Sequence, residues 1–406
     1  MLHLFEGYGI EIEYMIVDRQ SLDVRPFSDR VLEAAAGEVV SEVEVGELCW
    51  SNELMSHVIE LKTNGPAPSL AGVAGFFQRD VRRINGILEA SGAMLMPSAM
   101  HPWMDPDRDA KLWAHEYNEV YSTYDRIFDC RGHGWSNLQS MHINLPFAGD
   151  AEFARLHAAI RVLLPLLPAL ASSSPYALGR NTGFLDYRME VYRHNARRVP
   201  SLSGDVVPEP VYSEQAYRSE IFERMYADIA PHDPEGVLRH EWLNSRGAIA
   251  RFERDAIEIR VIDTQEAPVV DLAIAAAVAH VAQGFASGAL ADFEHQARLP
   301  VAPLADVFQR SLKLAEQTPI EDSDYLAVLG MPGARASVLE VWQSLLERQP
   351  PALDAAARAA LEHILRHGPL SRRMLAFAGT EPSRARLQAL ARELTLCLDQ
   401  GHSFAA

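Results

Sequence analysis

The chain has 406 residues, of which 48% are hydrophobic, and a formal charge of −18. That length can bury a large core in one big domain or a few smaller ones, and the negative charge argues against nucleic-acid binding as the main activity. Only three lysines occur (Lys62, Lys111 and Lys313), so phosphate contacts would fall to arginine forks rather than to ammonium point charges.

The first predicted element is a strand over 9–18, reading Gly9-Ile-Glu-Ile-Glu-Tyr-Met-Ile-Val-Asp18. A period of two puts Glu11 and Glu13 on one face and Ile10, Ile12, Tyr14 and Ile16 on the other. A short helix over 29–36 and a strand over 39–45 follow. Residues 57–63 form a third strand carrying Glu60, closed by the turn Asn64-Gly-Pro66. Glu53 stands just before it, where no clear strand pattern exists. Residues 69–90 read as a helix capped by Ser69, with Phe76, Phe77, Val81, Ile84 and Leu88 as its apolar stripe. A strand over 93–97 leads to His101-Pro102, a pair that can simply shape a loop. Trp103 and Trp135 read as packing residues. After a helix over 111–128, the strand Ser140-Met-His-Ile-Asn-Leu145 sets His142 and Asn144 on one face. A helix spans 150–171.

Residues 172–212 are the longest irregular stretch, and Arg180, Arg188, Arg193, Arg197 and Arg198 crowd into it. Such segments inside compact domains suggest a lid that orders over a ligand. A helix over 213–229 precedes a hairpin of 248–253 and 256–262, turning at Arg254-Asp255, with Glu258 and Arg260 sharing a face. From 268 onward only helical patterns appear, with no strand. The most apolar run, Val162 to Ala171, contains Pro165 and Pro168 and is far too short to span a membrane. Cys49, Cys130 and Cys397 are too scattered for a zinc site or a disulfide framework. With Glu6, Glu11 and Glu13 where an export signal needs apolar residues, a cytoplasmic protein is expected.

These elements predict an α+β fold in which helices cover one face of an antiparallel sheet and the acidic face stays open and concave. One domain over 1–406 is expected, with the sheet in 1–290 and a helical extension over 291–406 packed on it. No P-loop, no strand-linked Gly-x-Gly-x-x-Gly and no Gly-x-Ser-x-Gly elbow is present. What remains is a set of candidate metal ligands, Glu11, Glu13, Glu53, Glu60, His142 and Glu258, on or beside strands. Several acids on one sheet face repel unless cations sit among them. Carboxylates suit Mg²⁺, the histidine adds tolerance of Mn²⁺, and Mg²⁺ shared with substrate phosphates points to ATP.

In this order the residues resemble the glutamate–cysteine ligase superfamily, and within it the bacterial carboxylate–amine ligase branch. Gly9-Ile-Glu-Ile-Glu-Tyr14 is similar to its opening Gly-[Val/Ile]-Glu-x-Glu, and Glu53-Leu-Met-Ser-His-Val-Ile-Glu-Leu-Lys-Thr63 to its Glu-Leu…Val-Glu…Thr segment. His101-Pro102 and His142 match its His-Pro pair and its strand histidine. Ser174-Pro-Tyr-Ala-Leu-Gly-Arg-Asn-Thr-Gly183 with Tyr187-Arg188 resembles its Ser-Pro-Phe…Gly-Arg-Asp-Thr-Gly…Tyr-Arg block, and Ile257-Glu-Ile-Arg-Val-Ile-Asp263 its last strand. Six blocks over about residues 9–263 carry the likeness; the final third matches only in being helical. Ile12, Ser140 and Asn181 stand where many members have an acid, a histidine and an aspartate, departures that bear on substrate identity and above all on the amine.

The resemblance implies a glutamine-synthetase-like fold whose antiparallel sheet curls into a funnel, with helices on its outer face and a helical C-terminal third. It also implies a reaction. ATP phosphorylates a side-chain carboxylate of glutamate or a similar amino acid, and an amine displaces the phosphate to make an amide, as in glutathione biosynthesis. Arg260 is the first candidate to stabilise the transferring phosphoryl group, followed by Arg180, with Arg246 and Arg188 as nucleotide contacts. The partners implied are small molecules, an amino acid and an amine, with no nucleic acid and no membrane; assembly into a homo-oligomer stays open. The alternatives are a phosphotransferase of the same fold and a non-catalytic nucleotide-binding regulatory protein.

Overall fold

The computed structural model describes residues 1–405. At its centre lies an eight-stranded antiparallel sheet: β1 (Gly9–Asp18), β2 (Glu42–Val45), β3 (Leu48–Asn52), β4 (Val58–Thr63), β5 (Ala93–Met96), β6 (Ser140–Pro146), β7 (Ala248–Arg251) and β8 (Ala256–Asp263). The order is β2-β3-β4-β1-β6-β8-β7, an open sheet, with β5 added beside the far half of β1. Along one edge β1 pairs with β6 over residues 9–12 and then with β5 over residues 15–18. The α+β antiparallel architecture is the one expected.

β1 divides the molecule. Ile10, Ile12, Tyr14 and Ile16 are fully buried in the main core. That core also holds the apolar faces of α1 (Val73–Glu89), α2 (Gly149–Leu163) and α3 (Pro268–Ala286). Among the described residues α3 is the only helix long and apolar enough to cross a membrane, and it is buried inside the protein. Its run of alanines lets α1 and α2 approach it closely. On the other face of β1, Glu11 and Glu13 give way to Met15 and Val17. These two residues join a separate apolar cluster with Met96, Trp103 and the helices Leu370–Ala378 and Arg384–Gln400. The final third of the chain therefore covers one end of the acidic face and leaves the other end open.

Several local expectations are corrected. β3 has no counterpart in the sequence reading, because all five of its residues are buried and show no alternation. The helix expected from 69 starts at Val73 behind Gly72, and the one expected from 111 starts at Asn118. The helix over 150–171 is interrupted after Leu163, where Pro165 and Pro168 remove backbone donors. The C-terminal third does contain strand, a two-residue ladder of Pro319–Ile320 with Ala336–Ser337.

The lid reading of 172–212 is also corrected. Ser172 to Ser174, Asp186, Arg188, Leu202, Val206 and Val207 are all buried. The segment is fastened at both ends: Ser173 and Ser174 bind Asp263, and the Pro208 carbonyl accepts from Arg161. Three of its arginines have partners within the protein: Arg188 with Asp263, Arg193 with Glu190 and Arg198 with the Ile127 carbonyl.

Candidate active site

Strand register assembles the site. Glu13 lies opposite Glu60, Glu11 lies between Lys62 and His142, and Glu258 lies opposite Asn144. Between Ile259 and Ile262 the β6–β8 ladder slips by one residue, so that Arg260 and Val261 together face His142. Such a bulge redirects a side chain beside a site.

The side chains interlock. Glu11 accepts from Asn144 Nδ2 at 3.0 Å and lies 3.0 Å from His142 Nδ1. Glu13 accepts from the Ser140 backbone N–H at 2.7 Å and from its hydroxyl at 3.2 Å. Glu60 accepts from Ser51 Oγ at 2.7 Å. Arg260 Nε is 3.0 Å from Glu258 Oε1, close but not aligned as a hydrogen bond. Glu11, His142 and Glu258 can each offer one ligand atom within 4.8 Å of the others, and so can Glu13, Glu60 and His142. Carboxylates with one imidazole fit a hard divalent cation.

The electrostatics carry the same mark. Burial, then the neighbouring Glu13, Glu60 and Glu11, push Glu53 well above the usual carboxylate range. Burial, then Glu11 and Glu13, push Glu60 up to about 7 against the pull of Lys62 and Ser51. For Glu11 burial acts upward, yet His142, Lys62 and Arg260 overcome it and hold the group at about 2. Burial lowers His142, but Glu11, Glu258 and Glu13 outweigh it and raise the imidazole. Acids that resist ionisation because they crowd one another would be relieved by cations.

The sign of the resulting pH effect can be tested. Glu60 holds its proton more tightly folded than unfolded, so in EDTA its contribution to stability falls as pH rises from about 4.5 to about 7. At pH 8, Glu60→Gln is expected to be more stable than wild type in EDTA by roughly 1–3 kcal/mol. The same variant should lose most of any stabilisation by Mg²⁺. Urea titrations at pH 5 and pH 8, with and without Mg²⁺, check both signs.

Two cavities flank the cluster. One, of about 280 Å³, reaches Glu13, Glu53, His142 and Arg260 and is walled by aromatic rings. The other, of about 530 Å³, reaches Glu11, Lys62, Asn144 and Arg254 beside Gly7 and Gly9. Of the arginines expected to bind ligands, Arg260 and Arg188 border the first cavity. Arg188 also pairs with buried Asp263 at 2.5 Å, so most of its guanidinium is engaged internally. Arg246 holds Glu209 at 2.6 and 2.7 Å and the Ser201 carbonyl at 3.2 Å, which leaves no face for a nucleotide. Arg180 is exposed on a two-residue ladder with Ala177 and borders neither cavity. The sequence reading missed Lys62 as a site neighbour, although strand parity placed it on the acidic face, and gave Ser140 only as a departure from the family pattern.

The family model described as glutamate–cysteine ligase family 2 matches residues 8–393. An uncharacterized protein of Archaeoglobus fulgidus is 38% identical over 268 residues, which cover 66% of this chain and 72% of that one. Proteins of Rubrobacter xylanophilus and Nocardioides sp., both provisionally named glutamate–cysteine ligase 2-1, are 26% and 27% identical over 59% and 66% of this chain. Those alignments span 62% and 65% of the two relatives' own lengths. The fold is similar to that of a glutamate–cysteine ligase from Francisella tularensis solved in complex with AMP. The TM-score is 0.59 at 12% identity, over 98% of this chain and 89% of that one.

Proposed function

This chain belongs to glutamate–cysteine ligase family 2, and from that premise we infer that it uses ATP to join the carboxylate of glutamate, or of a similar amino acid, to an amine. The observation that carries the reading is the crowded set of acids on the open sheet face, with the Arg260 guanidinium beside it. Family and fold support a carboxylate–amine ligase of this kind; the acyl-phosphate route and the metal rest on the site's chemistry.

Glu11, Glu13, Glu60, His142 and Glu258 would hold Mg²⁺, with Glu53 at the edge of the set. Bound there, the cation supplies charge neutralisation for the triphosphate. The chain's own groups account for the rest. A carboxylate oxygen of the donor takes the γ-phosphoryl group as its bond to the ADP oxygen breaks. Arg260, borne on the bulge, meets the charge developing on that group. The amine nitrogen then attacks the acyl carbon, phosphate leaves, and the nitrogen releases its proton. The aromatic walls of the smaller cavity limit the access of water to the acyl phosphate. Three buried free cysteines suit a reducing, cytoplasmic setting.

Incubation with ATP, Mg²⁺, L-glutamate and a panel of primary amines should yield ADP, phosphate and a glutamyl amide in equal amounts by mass spectrometry. ADP formed without a new amide would refute amide synthesis. ATP that binds equally well in EDTA and in Mg²⁺, measured by calorimetry, would remove the metal from the account.

A further inference from the structure

The two cavities on either side of the acid cluster differ in chemistry. The larger one is lined by charged groups, Lys62 and Arg254 together with Glu11, Glu42 and Asp255, and Lys62 is already paired with Glu42. The smaller one is walled by Tyr121, Tyr124, Trp135, Tyr192 and Trp242. These rings brace one another: Tyr124 lies 5.4 Å from Trp135 and 5.9 Å from Trp242, centroid to centroid. The Tyr192 hydroxyl is buried with no hydrogen-bond partner among the described residues. Glu53 stands at the same wall.

A carboxylate entering this chamber is attracted to Arg260, and aromatic faces and Glu53 repel or ignore it. A protonated amine has the opposite preference, because ring faces attract a cation and the crowded acids beneath the chamber add to the pull. An apolar or aromatic group attached to that amine would also gain from the rings by burial and stacking. A small polar thiol amino acid would leave them largely unused.

We propose that the aromatic chamber is the acceptor site and selects a primary amine bearing an aromatic or bulky apolar group in preference to cysteine. This rests on the ligase reading for the identity of the acceptor, while the ligand class itself rests on the chamber walls. The amine nitrogen points toward Glu53 and the acid cluster, and its side group lies against the rings of Tyr124, Trp135 and Trp242.

Equilibrium binding to the full chain in Mg²⁺ tests this without turnover, with 2-phenylethylamine, ethylamine, L-cysteine and AMP as probes. 2-Phenylethylamine should bind about tenfold or more tighter than ethylamine or L-cysteine. Trp135→Ala should weaken it by about tenfold and leave AMP affinity unchanged. Trp242→Leu, on a separate wall, gives the same reading should Trp135→Ala fail to fold. Tighter binding of L-cysteine, or variants that weaken AMP and spare the amine, would overturn the assignment; the second result would make the chamber an adenine pocket. A turnover arm separates the two readings. With ATP and glutamate, 2-phenylethylamine should support ADP release with kcat/KM about tenfold above L-cysteine. Release with no amine at all, while the binding pattern holds, would overturn the ligase reading and leave the chamber's ligand class standing.

Discussion

Replacement of Arg260 by lysine is expected to lower turnover by about 10²-fold or more while changing ATP affinity little. Arg260 borders the aromatic chamber, lies 3.0 Å from Glu258, and its side chain is about one quarter exposed to the cavity. A planar fork can hold Glu258 and a transferring phosphoryl group together, whereas an ammonium is a single compact point charge. The charge on the group in flight is spread over its equatorial oxygens and placed differently than in bound ATP, so the loss belongs to the transition state. Steady-state kinetics with parallel calorimetric titration of ATP check the split. Near wild-type turnover, or a loss confined to affinity, would reduce Arg260 to a partner of Glu258.

The largest effect on stability is expected at Asp263. Its carboxylate is fully buried and satisfied on both oxygens: Oδ1 accepts from Arg188 Nε at 2.5 Å, and Oδ2 from the Ser173 backbone N–H and Ser174 Oγ, each at 2.8 Å. Asp263→Ala would strand a guanidinium that is only 2% exposed, left with the Arg260 carbonyl at 3.3 Å. Breaking a buried pair in this way costs about 3–5 kcal/mol, much of it from the uncompensated charge. The Ser173 N–H would lose its acceptor as well. Urea denaturation of the metal-free protein measures the change. A loss below about 1 kcal/mol would mean that water or a neighbouring group takes over the carboxylate's role.

The strands that carry the acids were legible because each alternates apolar residues packed in the core with polar residues lining the site. Glu11 and Glu13 against Ile10 and Ile12 on β1, and His142 and Asn144 on β6, follow a period of two that packing enforces. β3 was not legible, since burial of both faces erases the alternation that reveals a strand. The arginines misled for a different reason. Arg188 and Arg246 lie in or near an irregular stretch, and an arginine waiting for phosphate looks the same in sequence as one already paired. Their acids, Asp263 and Glu209, lie 75 and 37 residues away, a separation at which only the fold declares the partner. Trp135 and Trp242 come from separate segments and share a cavity only after folding, so nothing local distinguishes them from packing residues.

The slip between Ile259 and Ile262 has a consequence for how this strand tolerates change. Without it, the even-numbered residues of β8 would all face one way and the odd-numbered ones the other. The extra residue inverts that parity midway. Glu258, opposite Asn144, and Asp263, opposite Ser140, thereby come to the same side although they are five positions apart. The strand works as two half-strands in opposite phase, one ending at the acid cluster and the other at the anchor of Arg188. Substitutions within either half leave the phase alone. A single deletion at 260–261 would straighten the ladder and leave Glu258 and Asp263 on one side, now four positions apart, but it would abolish the bulge that carries Arg260. At this point of the chain, spacing carries more of the design than residue identity does.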